Sequence, residues 1–221
     1  MNNYLDSYRN KGTHLKRSTL QIKNLLFLGF LSILLVACGG DNKLQPLEID
    51  SVVLAFGDSL TDGVGVARED SYPSALSRLI GRQVINEGIS GETTSEGVKR
   101  FEQVLDKHQP QLVILLEGGN DILRNHNLSV TKSNLSAMIE MAKKKSIDVV
   151  LIGVPEKDIF SDHADLYAEL SNEHDVVFEG EIIAYLMKRP SFKSDPIHFN
   201  KKGYQKLAEE IQTLLESNGA L

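Results

Sequence analysis

The sequence has no tryptophan and one cysteine, Cys38, among 221 residues. A lone cysteine can form no internal disulfide and no cysteine-rich zinc site. Aromatic residues make up only 6%, which speaks against a stacking platform for single-stranded nucleic acid. A cationic excess is missing too: 24 Lys and Arg stand against 30 Asp and Glu, a net charge of -6. Phosphate backbones need a basic face, so nucleic acid is not an expected partner. His14, His108, His126, His163 and His174 show no metal-ligand spacing; they read as surface or loop residues, and neither metal nor cofactor is expected. There is no internal repeat and no low-complexity tract.

Residues 1–37 differ from the rest. Arg9, Lys11, Lys16, Arg17 and Lys23 form a basic lead-in to an uncharged run, Leu25 to Ala37. That run is shorter than the roughly 20 residues a membrane-spanning helix needs. A positive segment, a short apolar segment and a small residue make the pattern of an export signal. The stretch Leu35-Val36-Ala37-Cys38 resembles a bacterial lipobox. The resemblance implies removal of residues 1–37 and lipid on Cys38; the alternative is a small apolar residue closing an anchor helix. Gly39, not aspartate, follows Cys38, which in Gram-negative lipoproteins implies the outer membrane, facing the periplasm. Residues 38–50 are expected to be a flexible tether and 51–221 the folded domain. Cleavage would remove five basic residues and one acidic one, leaving a net charge of -10. An acidic body gains nothing from anionic lipid, so the lipid itself would hold the protein at the membrane.

From residue 51 the pattern alternates strand and helix. Ser51–Phe56, Gln83–Asn86, Leu112–Leu116, Asp148–Val154 and Val176–Phe178 are short apolar runs read as buried strands. Between them lie helical segments: Tyr72–Ile80, one opened by the capping-box spacing of Thr93 and Glu96, one carrying Leu135, Met138, Ile139 and Ala142 on a face, and one over 162–173. Tyr204, Leu207, Ala208, Ile211, Leu214 and Leu215 mark a final helix. Such alternation predicts an α/β fold, a parallel sheet of about five strands covered on both faces. Reactive groups in such folds collect at the carboxyl ends of the strands.

Four segments fall at that edge. Gly57-Asp58-Ser59-Leu60 follows the first strand and would expose a serine on a tight turn; a turn or cap serine is the plainer reading. A serine stays inert until a base takes its proton. Asn86 to Thr93 follows the second strand, where Gly91 can offer a bare N–H to a developing oxyanion. Ser90 makes no nucleophile elbow, because Glu92 stands where the second glycine belongs. Gly118-Gly119-Asn120-Asp121 follows the third strand; the Asn120 amide can donate to the same oxyanion, while Asp121 suits an Asx turn capping the next helix. Asp195-Pro196-Ile197-His198 precedes the last helix, with a carboxylate three residues before an imidazole it can orient. Gly63-Val64-Gly65 hints at a dinucleotide loop, but Arg68 takes the third glycine's place.

Together the four segments resemble the blocks of the GDSL, or SGNH, hydrolases, in order and across almost the whole domain. The resemblance implies a three-layer, flavodoxin-like α/β/α sandwich. It assigns Ser59 as nucleophile, His198 as general base and then acid, and Asp195 as the residue that orients it. It builds an oxyanion hole from the backbone N–H groups of Ser59 and Gly91 and the side chain of Asn120. One departure is Phe199, where many members have proline, with the pocket wall or the loop angle as the feature it would alter. The details look closest to the branch of periplasmic acyl-CoA thioesterases, lysophospholipases and arylesterases. That implies a serine esterase acting on small acyl esters or thioesters through an acyl-enzyme. A carbohydrate O-deacetylase and a non-catalytic envelope lipoprotein on the same fold are the alternatives.

Overall fold

The computed structural model describes residues 43–156 and 162–221. Residues 1–37, with the expected export signal and His14, and Cys38 lie outside the described residues. Five strands form one parallel sheet in the order β2-β1-β3-β4-β5: β1 Val52–Gly57, β2 Gln83–Gly88, β3 Leu112–Leu116, β4 Asp148–Ile152 and β5 Val177–Glu179. Eight α-helices accompany them among the described residues: α1 Ser59–Asp62, α2 Tyr72–Ile80, α3 Thr94–His108, α4 Gly119–Leu123, α5 Leu128–Lys144, α6 Asp165–His174, α7 Ile182–Met187 and α8 Lys201–Ser217. All five expected strands are present, each within two residues of its expected ends.

The strand order dictates the layers. The β1-to-β2 crossover runs one way along the sheet, and the crossovers to β3, β4 and β5 run the other. Right-handed connections then put α2 on one face and α3, α5 and α6 on the opposite face. In agreement, α2 packs on α8, and α5 packs on both α3 and α6. Every residue of β3 is buried, as a strand covered on both sides requires. The chain reverses its winding direction between β1 and β3, so the connections leaving their paired carboxyl ends turn to opposite faces of the sheet and leave a crevice there.

Helix ends are built as the sequence suggests. The Thr93 backbone N–H and hydroxyl both donate to the Glu96 carboxylate, at 2.9 and 2.8 Å, and start α3. Asp121 does a structural job, but at a different helix from the one expected. Its carboxylate accepts from the Thr94 N–H and hydroxyl at 2.9 and 2.7 Å, closing the start of α3, while Asn127 caps α5. The short helix α7 has no signature in the sequence: Ile182–Met187 is apolar throughout and has no polar face to set a period.

The expected tether also needs correction. Leu44 and Leu47 are buried in the core, and their N–H groups donate to the carbonyls of Asn218 and Ala220. Gln45 N–H donates to the Asp148 carboxylate at 2.7 Å, and Arg82 donates to the Leu47 carbonyl at 3.0 Å. This strap therefore lies along the edge where the strands begin. Two apolar side chains leaving water outweigh the polar surroundings that made the stretch look like a linker.

Candidate active site

Ser59 is the first residue of α1 and follows β1 after a single intervening residue. The turn is tight because two glycines permit it. A Cβ on Gly57 would lie 1.9 Å from the Leu116 carbonyl oxygen, and one on Gly88 would lie 2.1 Å from the Asp62 nitrogen. Neither contact is possible for a side chain, so glycine lets β2 and β3 pass against the base of α1. Asp58 caps the helix by accepting the Leu60 N–H at 3.0 Å. The Ser59 N–H belongs to the first turn and has no partner within the helix, so it is available to a ligand.

The loop before α8 brings the imidazole to this hydroxyl. His198 Nε2 lies 3.1 Å from Ser59 Oγ, and its Nδ1 lies 2.8 Å from Asp195 Oδ2. The other carboxylate oxygen, Oδ1, accepts the N–H groups of Ile197 and His198, both at 2.8 Å. These two backbone donors, joined by the imidazole, pull the Asp195 pKa down to about 2. A carboxylate can only accept, so Nδ1 carries the hydrogen and Nε2 faces Ser59 as an acceptor. Phe199 is fully buried and packs edge-to-face on Tyr204, with ring centroids 5.6 Å apart. It does not line the cavity at Ser59.

Asn120 stands beside Ser59 at the start of α4. Its side-chain nitrogen donates to the Glu92 carbonyl at 2.9 Å and lies 3.3 Å from Asp58 Oδ2. Gly91, with φ of +80°, is on the adjoining loop, and its carbonyl accepts from Arg124 at 2.9 Å. Ser90 is exposed on that loop. A cavity of about 170 Å³ opens from Ser59 and Asn120, walled by apolar Leu60, Ile122, Val154, Met187 and Ile197. The geometry thus brings together Ser59, His198, Asp195 and Asn120, with Gly91 one residue from the carbonyl that holds Asn120. The remaining histidines are elsewhere: His108 pairs with Glu87 at 2.6 Å, and His174 lies 2.8 Å from the Ser136 hydroxyl. His108 and His163 are partly covered by their neighbours, more than a surface reading implies.

Beneath these residues lies a set of carboxyl groups that spacing did not single out. Asp58 is buried and lines the cavity; burial pushes its pKa up to about 6, against the opposing pull of the Leu60 N–H and His198. Glu117, directly after β3, is fully buried, and neither of its oxygens has a hydrogen-bond partner. Burial, then the charges of Asp58, Glu92 and Asp121, raise its pKa well above the ordinary glutamate value. The signal for Glu117 was present: a lone acid between the apolar run of β3 and two glycines.

The folded state prefers neutral Glu117 while the unfolded chain ionises it near 4.5, so its burial is tolerated at acid pH and opposes folding as pH rises. Glu117→Gln should flatten the decline in unfolding free energy between pH 5 and pH 8. Urea titrations at several pH values measure it; parallel curves for the two proteins would show that Glu117 is ionised in the fold.

Residues 55–206 match the model of the GDSL-like Lipase/Acylhydrolase family. An arylesterase of Vibrio mimicus is 36% identical over 156 residues, 65% of this chain and 76% of that protein. The thioesterase 1/protease 1/lysophospholipase L1 of Escherichia coli K12 is 27% identical over 175 residues, 74% and 83% of the two chains. The crystal structure of the esterase EstA from Pseudoalteromonas sp. superposes with a TM-score of 0.70 at 20% identity, covering 76% of this chain and 98% of that one.

Proposed function

The chain belongs to the GDSL-like lipase/acylhydrolase family and is a carboxylic ester hydrolase, and from that premise we propose that Ser59, His198 and Asp195 hydrolyse short and medium acyl esters through an acyl-enzyme. One observation carries the reading: Ser59 Oγ, His198 Nε2, His198 Nδ1 and Asp195 Oδ2 form a continuous line with gaps of 3.1 and 2.8 Å. Ser59 Oγ attacks the ester carbonyl as its proton passes to Nε2. The carbonyl oxygen, now negative, is met by the N–H groups of Ser59 and Gly91 and by the Asn120 amide. One such donor is worth about 3 kcal/mol in related chemistry. The C–O bond to the leaving group then breaks, and Nε2 returns the proton to the departing oxygen. Water, deprotonated by the same nitrogen, attacks the acyl-Ser59 ester and frees the acid and the serine.

The cavity suits the acyl group. A 150 Å³ apolar cavity holds a benzene-sized molecule, so about 170 Å³ is room for roughly six carbons. Aryl esters and thioesters of short acyl groups fit this description, since the reaction needs only the acyl carbon in place; the chain of a lysophospholipid would have to run out past the cavity mouth. Residues 1–37 act as a lipoprotein signal in this reading, and lipid on Cys38 holds the enzyme at the outer membrane facing the periplasm.

Two measurements test the proposal. A fluorophosphonate should add to Ser59 in the folded protein, as read by intact mass and peptide mapping. Turnover of p-nitrophenyl esters of two to twelve carbons should peak near four to six. A serine that does not label refutes the acyl-enzyme, and an optimum at acetate moves the assignment to deacetylation.

A further inference from the structure

Arg100 lies on α3 and lines no part of the cavity, yet it touches three of the pieces that shape the catalytic edge. Its Nε and Nη2 donate to the two carboxylate oxygens of Glu92 at 2.6 and 2.5 Å. Nη2 also donates to the carbonyl of Glu87, near the end of β2, at 2.9 Å. The flat guanidinium rests on the Phe56 ring, 3.9 Å from its centroid and three residues before Ser59. The Glu92 side chain is 4% exposed, so this fork is the main polar contact of a carboxylate taken out of water. A bidentate contact of this kind fixes orientation as well as distance.

Glu92 connects this fork to the oxyanion pocket. Its carbonyl accepts the Asn120 amide at 2.9 Å, and its backbone continues directly from Gly91. We propose that Arg100 is a positioning residue for the oxyanion pocket: it clamps Glu92, and Glu92 sets where the Asn120 amide and the Gly91 N–H point. The inference rests on the reading of Asn120 as an oxyanion donor. A change at Arg100 acts on the transition state chiefly through the Asn120 amide, which the Glu92 carbonyl holds directly, and leaves the acyl cavity unchanged.

Arg100→Lys keeps the positive charge and loses the fork. The expected result is a kcat lower by about 10- to 100-fold, the range for a donor displaced by a fraction of its reach, with KM within about threefold. The decisive measurement is the same substitution in an Asn120→Ala background. If the clamp acts through Asn120, most of the Arg100→Lys loss disappears there, because the group it positions is gone. A loss of equal size in both backgrounds, or a fall in melting temperature with kcat per folded molecule intact, overturns the clamp. Unchanged kcat in Asn120→Ala alone instead refutes the oxyanion reading and leaves no pocket for Arg100 to position. If Arg100→Lys does not fold, Glu92→Gln supports the same cycle, since it weakens the fork from the opposite side and leaves the Glu92 backbone in place.

Discussion

Ser59→Ala should lower kcat for p-nitrophenyl butyrate by about 10⁴-fold or more, the usual consequence of removing a nucleophile that works with its base. The fold should not notice the change. The side chain's hydrogen bond is to His198, and the backbone bonds from Gly63 and Val64 to the Ser59 carbonyl survive the substitution. Equal ellipticity and melting temperature with activity at the level of buffer is the expected result. His198→Ala should cost about as much, and the double variant little more than either alone, because the two groups act as a unit. Substantial turnover by folded Ser59→Ala would place the nucleophile elsewhere.

The second large effect is expected at Asp195. Both oxygens of its carboxylate are in use, Oδ1 by two backbone N–H groups and Oδ2 by the His198 ring. Asparagine brings one acceptor to a site that needs two. If its oxygen keeps the backbone donors, the amide nitrogen faces Nδ1, the hydrogen moves to Nε2, and Ser59 loses its base. Asp195→Asn should therefore reduce kcat by about 10³- to 10⁴-fold, with KM little changed. The pH profile gives a second check. With a folded pKa of about 2, below the ordinary 3.8, Asp195 stays ionised in mild acid. Its contribution to stability is complete above the ordinary value and is lost only as pH falls toward about 2. The acid limb of the wild-type rate should thus reflect protonation of another group. A limb near pH 4 that vanishes in the asparagine variant would contradict this.

How much of this the sequence disclosed depends on how far apart the interacting residues lie. The five strands were legible because an apolar run such as Leu112–Leu116 can bury both faces only in a covered sheet. The serine, the Asp/His pair and the glycine and asparagine loops were legible because each carries its signal within a few residues, and α/β topology brings strand ends to one edge. The Asp121 contact with Thr94 spans 27 positions, so local reading assigned the carboxylate to the nearer helix. Arg100 and Glu92 meet eight residues apart across a loop and a helix, a spacing that no single periodicity predicts. Docking of Leu44 and Leu47 needs the far end of the chain, and a window of neighbours contains no trace of Asn218 or Ala220.

That last contact brings the two ends of the described domain together at the edge where the strands begin, while Ser59 stands at the edge where they finish. A solid support, a fused domain or a fluorescent handle joined at Leu221 starts from this edge and not from the one that carries Ser59. Such an attachment leaves the mouth open to whatever diffuses in from the other side.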